Sequence, residues 1–289
     1  MIVVKLSGGL GNQMFQYACG RFLSEIKHTD LQLDVKSFQD KSSNPDLTYR
    51  DYQLRIFNID EKLASEKDVQ SFIKPKSFLK KIIFKIRQKS RGKIIATDSN
   101  YDLNILDKES DIYLDGYFQN EKYFIGIKDI LSKEFSLKDR LNASYSEMQN
   151  QISICNSVSI HIRRGDYVNN SVTNNYHGVC GLDYYKKAMS VIAEKVTEPR
   201  FFIFSDDVNW VRENLKSQWP LTFVSGGKSF EDLFLMSQCK HNIIANSSFS
   251  WWAGWLNKYP EKIVVGPLKW FNDPKINAGF NLPEKWIRV

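Results

Sequence analysis

The sequence predicts an α/β protein built from two Rossmann-like domains facing a cleft. Three observations carry that prediction. Short apolar strands alternate with helical stretches through the second half of the chain, which implies parallel sheets covered by helices on both faces. Each half opens with a strand that runs into a ligand-like turn, Gly8-Gly9-Leu10-Gly11 in the first and Arg163-Arg164-Gly165-Asp166 in the second. The 289 residues exceed the common size of one domain, which favours a division into 1–150 and 151–289.

The elements follow in order. Met1 to Leu6 is an apolar strand, Gly8 to Gly11 a turn, and Asn12 to Ile26 a helix with Met14, Phe15, Ala18, Phe22 and Ile26 on one side. Leu31 to Val35 alternates as a second strand, and the Asn/Asp/Ser-rich stretch from Lys36 to Tyr52 reads as a long loop. Tyr113 to Gln119 reads as a strand entering a turn, with a helix expected over residues 120–134. After a polar segment at 138–156 the pattern becomes regular. Strands are expected at Val158–Arg163, Phe201–Phe204, Leu221–Val224, Asn242–Ala245 and Lys262–Val265. Helices are expected between them at Leu182–Val196, Asn209–Lys216, Ser229–Ser237 and Phe249–Asn257.

Composition narrows the class. The hydrophobic share of 42% and the charged share of 25% are those of a globular protein, and no apolar run is long enough to span a bilayer. The N-terminus enters its glycine turn directly, as a first strand does and a signal peptide does not. The four cysteines (19, 155, 180, 239) lack metal or CxxC spacing and read as reduced, intracellular thiols. The net charge of +7 is local. Residues 74–93 hold nine Lys or Arg and no acid, and the remainder is slightly acidic. Phe78, Leu79, Ile82, Ile83 and Ile86 recur there at helical spacing, giving a basic amphipathic helix suited to anionic lipid. A solvated face whose apolar side packs on the domain is the equal alternative.

Four stretches can carry chemistry. Gly8 to Gln13 places backbone N–H groups at a helix start, where an anion is favoured, but it is neither a dinucleotide fingerprint nor a Walker loop. The plain alternative is a tight turn with Asn12 as the helix cap. Val158 to Arg164 delivers two guanidiniums to the carboxyl end of a strand, where open α/β sheets bind ligands. One arginine is expected on a phosphate and the other on a carboxylate. His161 is expected as a buried structural histidine bonded to backbone, with a catalytic base as the alternative, and Asp166 as either a proton acceptor or a salt-bridge partner. Phe204-Ser205-Asp206-Asp207 offers a carboxylate to a ribose or base, with Ser205 or Asp206 as a cap of the next helix the alternative. Asn246 to Ala253 offers small hydroxyls at a helix start as a phosphate cradle, followed by Trp251, Trp252 and Trp255 as core. No Asp-x-Asp occurs and the histidines (28, 161, 177, 241) have no metal spacing, so no metal cofactor is expected.

Five blocks in order resemble one family. They are Gly8-Gly9-Leu10-Gly11-Asn12-Gln13-Met14-Phe15-Gln16-Tyr17-Ala18, Asp115-Gly116-Tyr117-Phe118-Gln119, His161-Ile162-Arg163-Arg164-Gly165-Asp166-Tyr167, Phe204-Ser205-Asp206-Asp207 and Asn246-Ser247-Ser248-Phe249-Ser250-Trp251-Trp252-Ala253. Together they resemble the bacterial α-1,2-fucosyltransferases of glycosyltransferase family 11, although residues 36–92 carry no recognisable motif. The resemblance implies a GT-B-like architecture with an acceptor-side N-terminal domain and GDP-β-L-fucose held mainly by the C-terminal domain. It implies inverting, metal-independent transfer of fucose to the 2-hydroxyl of a terminal galactose.

By the same resemblance, Arg163 contacts the diphosphate, Asp206 the guanosine, and Ser247, Ser248 and Phe249 cradle phosphate. The Gly11–Asn12 loop closes over the donor, with Gly9 and His161 completing the donor-binding set. Asp166 is the expected base, against a competing transfer without a strong base in which Asn12 positions the hydroxyl. The expected partners are GDP-fucose and a galactose-terminated, lipid-linked acceptor of a surface polysaccharide such as O-antigen. The expected location is cytoplasmic and peripheral on the inner membrane face. A transferase of another nucleotide-activated donor is the alternative. A basic nucleic-acid-binding protein ranks lower, because residues 74–93 contain no recognition motif and no nucleic-acid partner is expected.

Overall fold

The computed structural model describes residues 1–39, 50–72, 93–98, 111–165, 178–272 and 282–289. The chain divides into two compact units, Met1–Lys138 and Asp139–Val289, rather than at residue 150. The earlier boundary has a simple cause. The polar stretch before the second unit's first strand contains a helix, Ala143–Ser153, capped by Asn142 accepting from Tyr145 N at 3.0 Å. Asn142 also donates to Glu231 at 2.9 Å, so this helix belongs to the second unit.

In the first unit, β1 (Ile2–Lys5), β2 (Leu31–Asp34), β3 (Lys93–Ala96) and β4 (Asp111–Leu114) form a parallel sheet in the order β2-β1-β4-β3. The helix α1 (Leu10–Ile26) buries Met14, Phe15, Tyr17, Ala18 and Leu23. It lies close to β1 because Gly20 carries no side chain: a Cβ there would come within 2.2 Å of Val4 Cγ2. A short helix α2 (Glu66–Phe72) buries Val69 and Phe72. The helix expected over 120–134 is two 3₁₀ turns followed by α3 (Lys128–Glu134). Asn120 caps the first turn, and Phe124, with φ −152°, leaves the helical backbone between the two.

The second unit holds α4 (Ala143–Ser153) and six parallel strands. These are β5 (Asn156–Ile162), β6 (Pro199–Ser205), β7 (Leu221–Phe223), β8 (His241–Ile243), β9 (Val264–Gly266) and β10 (Ile287–Arg288), in the order β10-β9-β8-β5-β6-β7. The helices are α5 (Leu182–Ala193), α6 (Val208–Asn214), α7 (Ser229–Gln238) and α8 (Ser248–Leu256). The two-residue period of β5 sorts its side chains. Val158, Ile160 and Ile162 pack with Tyr185, Met189, Ile192 and Val211 of α5 and α6. On the other face Ser157 accepts from Lys240 N at 3.1 Å and Ser159 from Asn242 Nδ2 at 2.7 Å. Both faces are therefore satisfied, and β5 is fixed centrally.

Sequence periodicity located nearly every strand of the second unit. The exception is β10, whose two residues are too short for any periodic signal. Among the described residues no helix is long and apolar enough to cross a membrane. The four cysteines are free. The basic stretch lies outside the described residues except for Lys93, which opens β3.

Candidate active site

The connections from β5 run first to β6 and β7 on one side, then return to β8 on the other. The carboxyl ends of β5 and β8 are thus a topological switch point, the crevice where open α/β sheets take ligands. Register decides what stands there. Ile162 pairs with Ser205, which brings Arg163 beside Asp206. Ile160 pairs with Ile243, so Arg163 also leaves the sheet on the side of the strand that leads into α8.

Asp206 organises the end of β5. Its Oδ2 receives Arg163 Nη1 at 2.8 Å, and its Oδ1 receives the backbone N–H of Arg164 at 2.8 Å. Gly165 completes the approach, since a Cβ there would lie 2.6 Å from Asp206 Oδ2. Arg164 turns away from the crevice. Its Nε donates to Asp207 at 3.2 Å and its guanidinium stacks 3.3 Å from the centre of the Trp210 ring. Asp207 in turn caps α6 by accepting from Trp210 N at 3.4 Å. The carboxylate expected for one arginine is found at Arg164, and Arg163 also pairs with a carboxylate, through the adjacent aspartate. The Arg163 pair is about a quarter exposed and worth about 1 kcal/mol or less, so its main effect is direction.

His161 stands on the polar face of β5, buried, with its ring 5.4 Å from that of Phe249 in the first turn of α8. Burial, and then the neighbouring Arg163 charge, push its pKa down to about 4, so the ring is neutral near pH 7. Among the described residues its Nδ1 has no hydrogen-bond partner. The expected backbone bond is not made at that nitrogen, and a buried nitrogen left unsatisfied is a candidate for a water or ligand contact.

Ser247 is the extended N-cap of α8, yet its hydroxyl makes no capping bond, and Ser248 opens the helix. The Ser247 hydroxyl therefore stands at an anion-favouring helix start without serving as its cap. Asn246, just before them, donates to Gly178 O at 3.2 Å and Trp270 O at 3.1 Å, tying three loops of the second unit together. Behind the helix start, Trp251, Trp252, Trp255 and Trp286 interlock with ring centres 5.1–6.2 Å apart, so the tryptophans are core.

Sequence reasoning passed over one carboxyl. Asp232, in the first turn of α7, accepts from Tyr145 Oη at 2.6 Å, and Gly227 N donates to that same hydroxyl at 3.0 Å. Burial raises its pKa to about 6, with the charge of Glu231 adding to the rise. A carboxyl so perturbed is a functional candidate. Its signal was present as Glu231-Asp232 after a glycine pair, but nothing in the sequence distinguished it from helix-start acids.

Gly9, Gly11 and Asn12 belong to the first unit. The helix begins at Leu10, so Gly9 is the cap and Asn12 stands inside the first turn. The alternative with Asn12 as the cap does not hold: its Oδ1 instead accepts from Gln119 Nε2 at 2.8 Å. Asp166 lies outside the described residues. Among the described residues no cluster of His, Cys, Asp or Glu is placed to hold a metal.

The sequence profile described as "Glycosyl transferase family 11" matches residues 1–289. The chain belongs to glycosyltransferase family 11. The Escherichia coli "O-antigen biosynthesis glycosyltransferase WbnK" is 38% identical over 317 residues, covering 98% of this chain and 99% of that protein. The E. coli "Alpha-1,2-colitosyltransferase" is 34% identical over 295 residues, covering 100% of this chain and 99% of that protein. Among solved structures, fucosyltransferase NodZ from Bradyrhizobium superposes with a TM-score of 0.50 at 12% identity, covering 87% of this chain and 91% of that one. That likeness shows the fold, which is GT-B-like α/β with parallel sheets. The family 11 assignment makes the Arg163–Asp206 crevice part of a glycosyltransferase.

Proposed function

We propose that this family 11 enzyme transfers L-fucose from GDP-β-L-fucose to the 2-hydroxyl of a terminal galactose, with inversion and without a metal. The observation that carries the reading is the β5/β8 crevice, where Arg163, the Ser247–Ser248 helix start and the orphaned His161 Nδ1 meet at a switch point. Breaking the fucosyl–phosphate bond leaves negative charge on GDP while the sugar becomes cation-like. A guanidinium and a helix N-terminus aimed at the leaving diphosphate stabilise that charge where it develops. Asp206 uses two of about four acceptor positions on the arginine segment, so it keeps capacity for guanosine. Phe249 closes the cradle beside His161. Gly9, Gly11 and Asn12 complete the donor set, and Asp166 takes the acceptor proton.

The acceptor is proposed to be a lipid-linked O-antigen precursor, with residues 74–93 resting on anionic lipid at the cytoplasmic face. WbnK's name supports the polysaccharide class. The colitosyltransferase at 34% identity favours a second reading, in which the donor sugar is colitose and the α-1,2 linkage is kept. One experiment separates them. The enzyme is incubated with GDP-fucose or a colitose donor and a panel of β-galactosides, with and without EDTA, and products are read by mass spectrometry. Fucosylated product with EDTA present is the expected result. Product from the colitose donor alone would transfer the assignment to the second reading, and dependence on added metal would remove the metal-free mechanism.

A further inference from the structure

The first unit has its own switch point. β2 lies on one side of β1 and β4 on the other, so the crevice opens between the carboxyl ends of β1 and β4. Two turns line it, Gly8–Asn12 after β1 and Asp115–Gln119 after β4. The second turn is built with unusual care. Phe118, a bulky residue, adopts φ +51° with its side chain fully buried. Asp98, just beyond β3, holds that backbone by accepting from Tyr117 N at 2.8 Å and Phe118 N at 2.6 Å. Gly116 is required by the clamp, since a Cβ there would sit 2.9 Å from the Asp98 backbone nitrogen. Gln16 binds the Gly116 carbonyl at 3.0 Å, and Gln119 joins the turn to Asn12. A strained backbone held by this many partners points to a presented group.

The presented group is Tyr117, 45% exposed at the tip. The polar groups of the two turns are already engaged, the Asp98 carboxylate by two backbone amides. Lys5 Nζ is paired with Asp115 at 3.0 Å, and Asn12 and Gln119 contribute amides. The Asp115–Gln119 turn therefore suits an uncharged polyhydroxylated ring, and the Gly8–Asn12 helix start beside it is left to the donor. In galactose the axial 4-hydroxyl leaves one face of C–H groups, which an aromatic ring covers while carboxylates and amides take the hydroxyls.

We infer that Tyr117 is the platform on which the acceptor's galactose ring stacks, and that Asp98 is the positioning residue that holds it there. The inference rests on the galactoside-transferase reading above and adds an acceptor subsite to it. The ring is exposed, so its replacement leaves the fold intact, as an unchanged melting temperature will show. In Tyr117→Ala the acceptor KM rises about tenfold or more, while the donor KM and the thermal shift by GDP stay at wild-type values. Tyr117→Trp and Tyr117→Phe stay within about threefold. Asp98→Ala reproduces the acceptor effect with the tyrosine still present, and Asp98→Asn, which keeps one acceptor oxygen, recovers part of it.

Saturation-transfer NMR with methyl β-galactoside reads the subsite without turnover, and so tests it even if the donor assignment fails. Galactoside contact in the wild type that is lost in Tyr117→Ala supports the platform. A wild-type acceptor KM in Tyr117→Ala, or no galactoside contact in the wild type, overturns it whatever sugar is transferred.

Discussion

The two sheets pose the same topological question and answer it with different chemistry. Both are parallel and both have a switch point at the carboxyl end of a central strand. At β5 the chain supplies two arginines and a helix start, with aspartates setting their directions. At β1 and β4 it supplies glycines, amides and a tyrosine, with its lysine already paired to Asp115. Topology thus chooses where a ligand goes, and the residues at the strand ends choose which ligand. The cationic end suits a leaving diphosphate, and the neutral end suits a sugar.

The largest break in this contrast is expected from Arg163→Ala. It removes the crevice cation and leaves Asp206 Oδ2 without its 2.8 Å partner. Turnover should fall about a hundredfold to a thousandfold, in line with the loss of a charge-stabilising group in the transition state. Stabilisation by GDP in a thermal-shift assay should fall with it. The same assay on Tyr117→Ala should show no change, and a loss of GDP stabilisation there would erase the distinction between the two ends.

The next effect is on stability and its pH dependence. Burial raises the Asp232 carboxyl to about 6, so the folded state holds its proton more tightly than the unfolded chain does. The stability this contributes is complete below about pH 4 and is lost as pH rises through about 6. Asp232→Asn keeps an oxygen for Tyr145 and removes the charge. It should match the wild type near pH 4 and exceed it by roughly 2–3 kcal/mol at pH 7, as read by denaturant melts. His161 has the opposite sign. Its pKa is lowered to about 4, so its contribution is present above about 6.5 and is lost as pH falls towards 4. The two slopes oppose each other between pH 4 and 6, and the Asp232 variant should uncover the histidine's. If Asp232→Asn also loses activity while gaining stability, the charge is kept for function.

How much of this was legible beforehand divides along the same line. The arginine end was readable because charged residues terminating an apolar strand have few structural uses, and the family resemblance put Arg163 and Asp206 in one donor set. The way both arginines pair was not readable, since it depends on a β5–β6 register that places Ile162 against Ser205. At the neutral end the Gly-rich turn was visible but its cap stayed open, because Asn12 looks like a cap unless Gln119 is known to reach it. Asp98 could not have been singled out at all: it acts on a turn nearly twenty residues away through two backbone amides. Helix α4 was missed because it buries little beyond Tyr145 and Ile152, leaving no apolar stripe to read.

A smaller effect tests how tightly the cationic end is built. Gly165→Ala places a methyl 2.6 Å from Asp206 Oδ2, so the carboxylate must move and carry Arg163 with it. A displacement of this order should cost about tenfold or more in kcat/KM with little change in melting temperature, since the segment is not core. Wild-type kcat/KM in this variant would show that the direction of Arg163 does not matter.

The smallest effect concerns the bond that joins the two turns of the first unit. Gln119→Ala removes the 2.8 Å bond to Asn12 and nothing else in the described hydrogen-bond network of that turn. One such part-buried bond is worth about 0.5–1.5 kcal/mol, so the change in any KM should be about twofold to tenfold. Which KM moves is the informative part. If the glycine turn serves the donor and the tyrosine turn the acceptor, their shared bond should couple the two, and both KM values should rise while kcat changes little. A rise in the acceptor KM alone would take Gly9, Gly11 and Asn12 out of the donor set and give the whole neutral end to the sugar. A rise in the donor KM alone would show that the tyrosine turn needs no help from Asn12, leaving Asp98 as the residue that holds it.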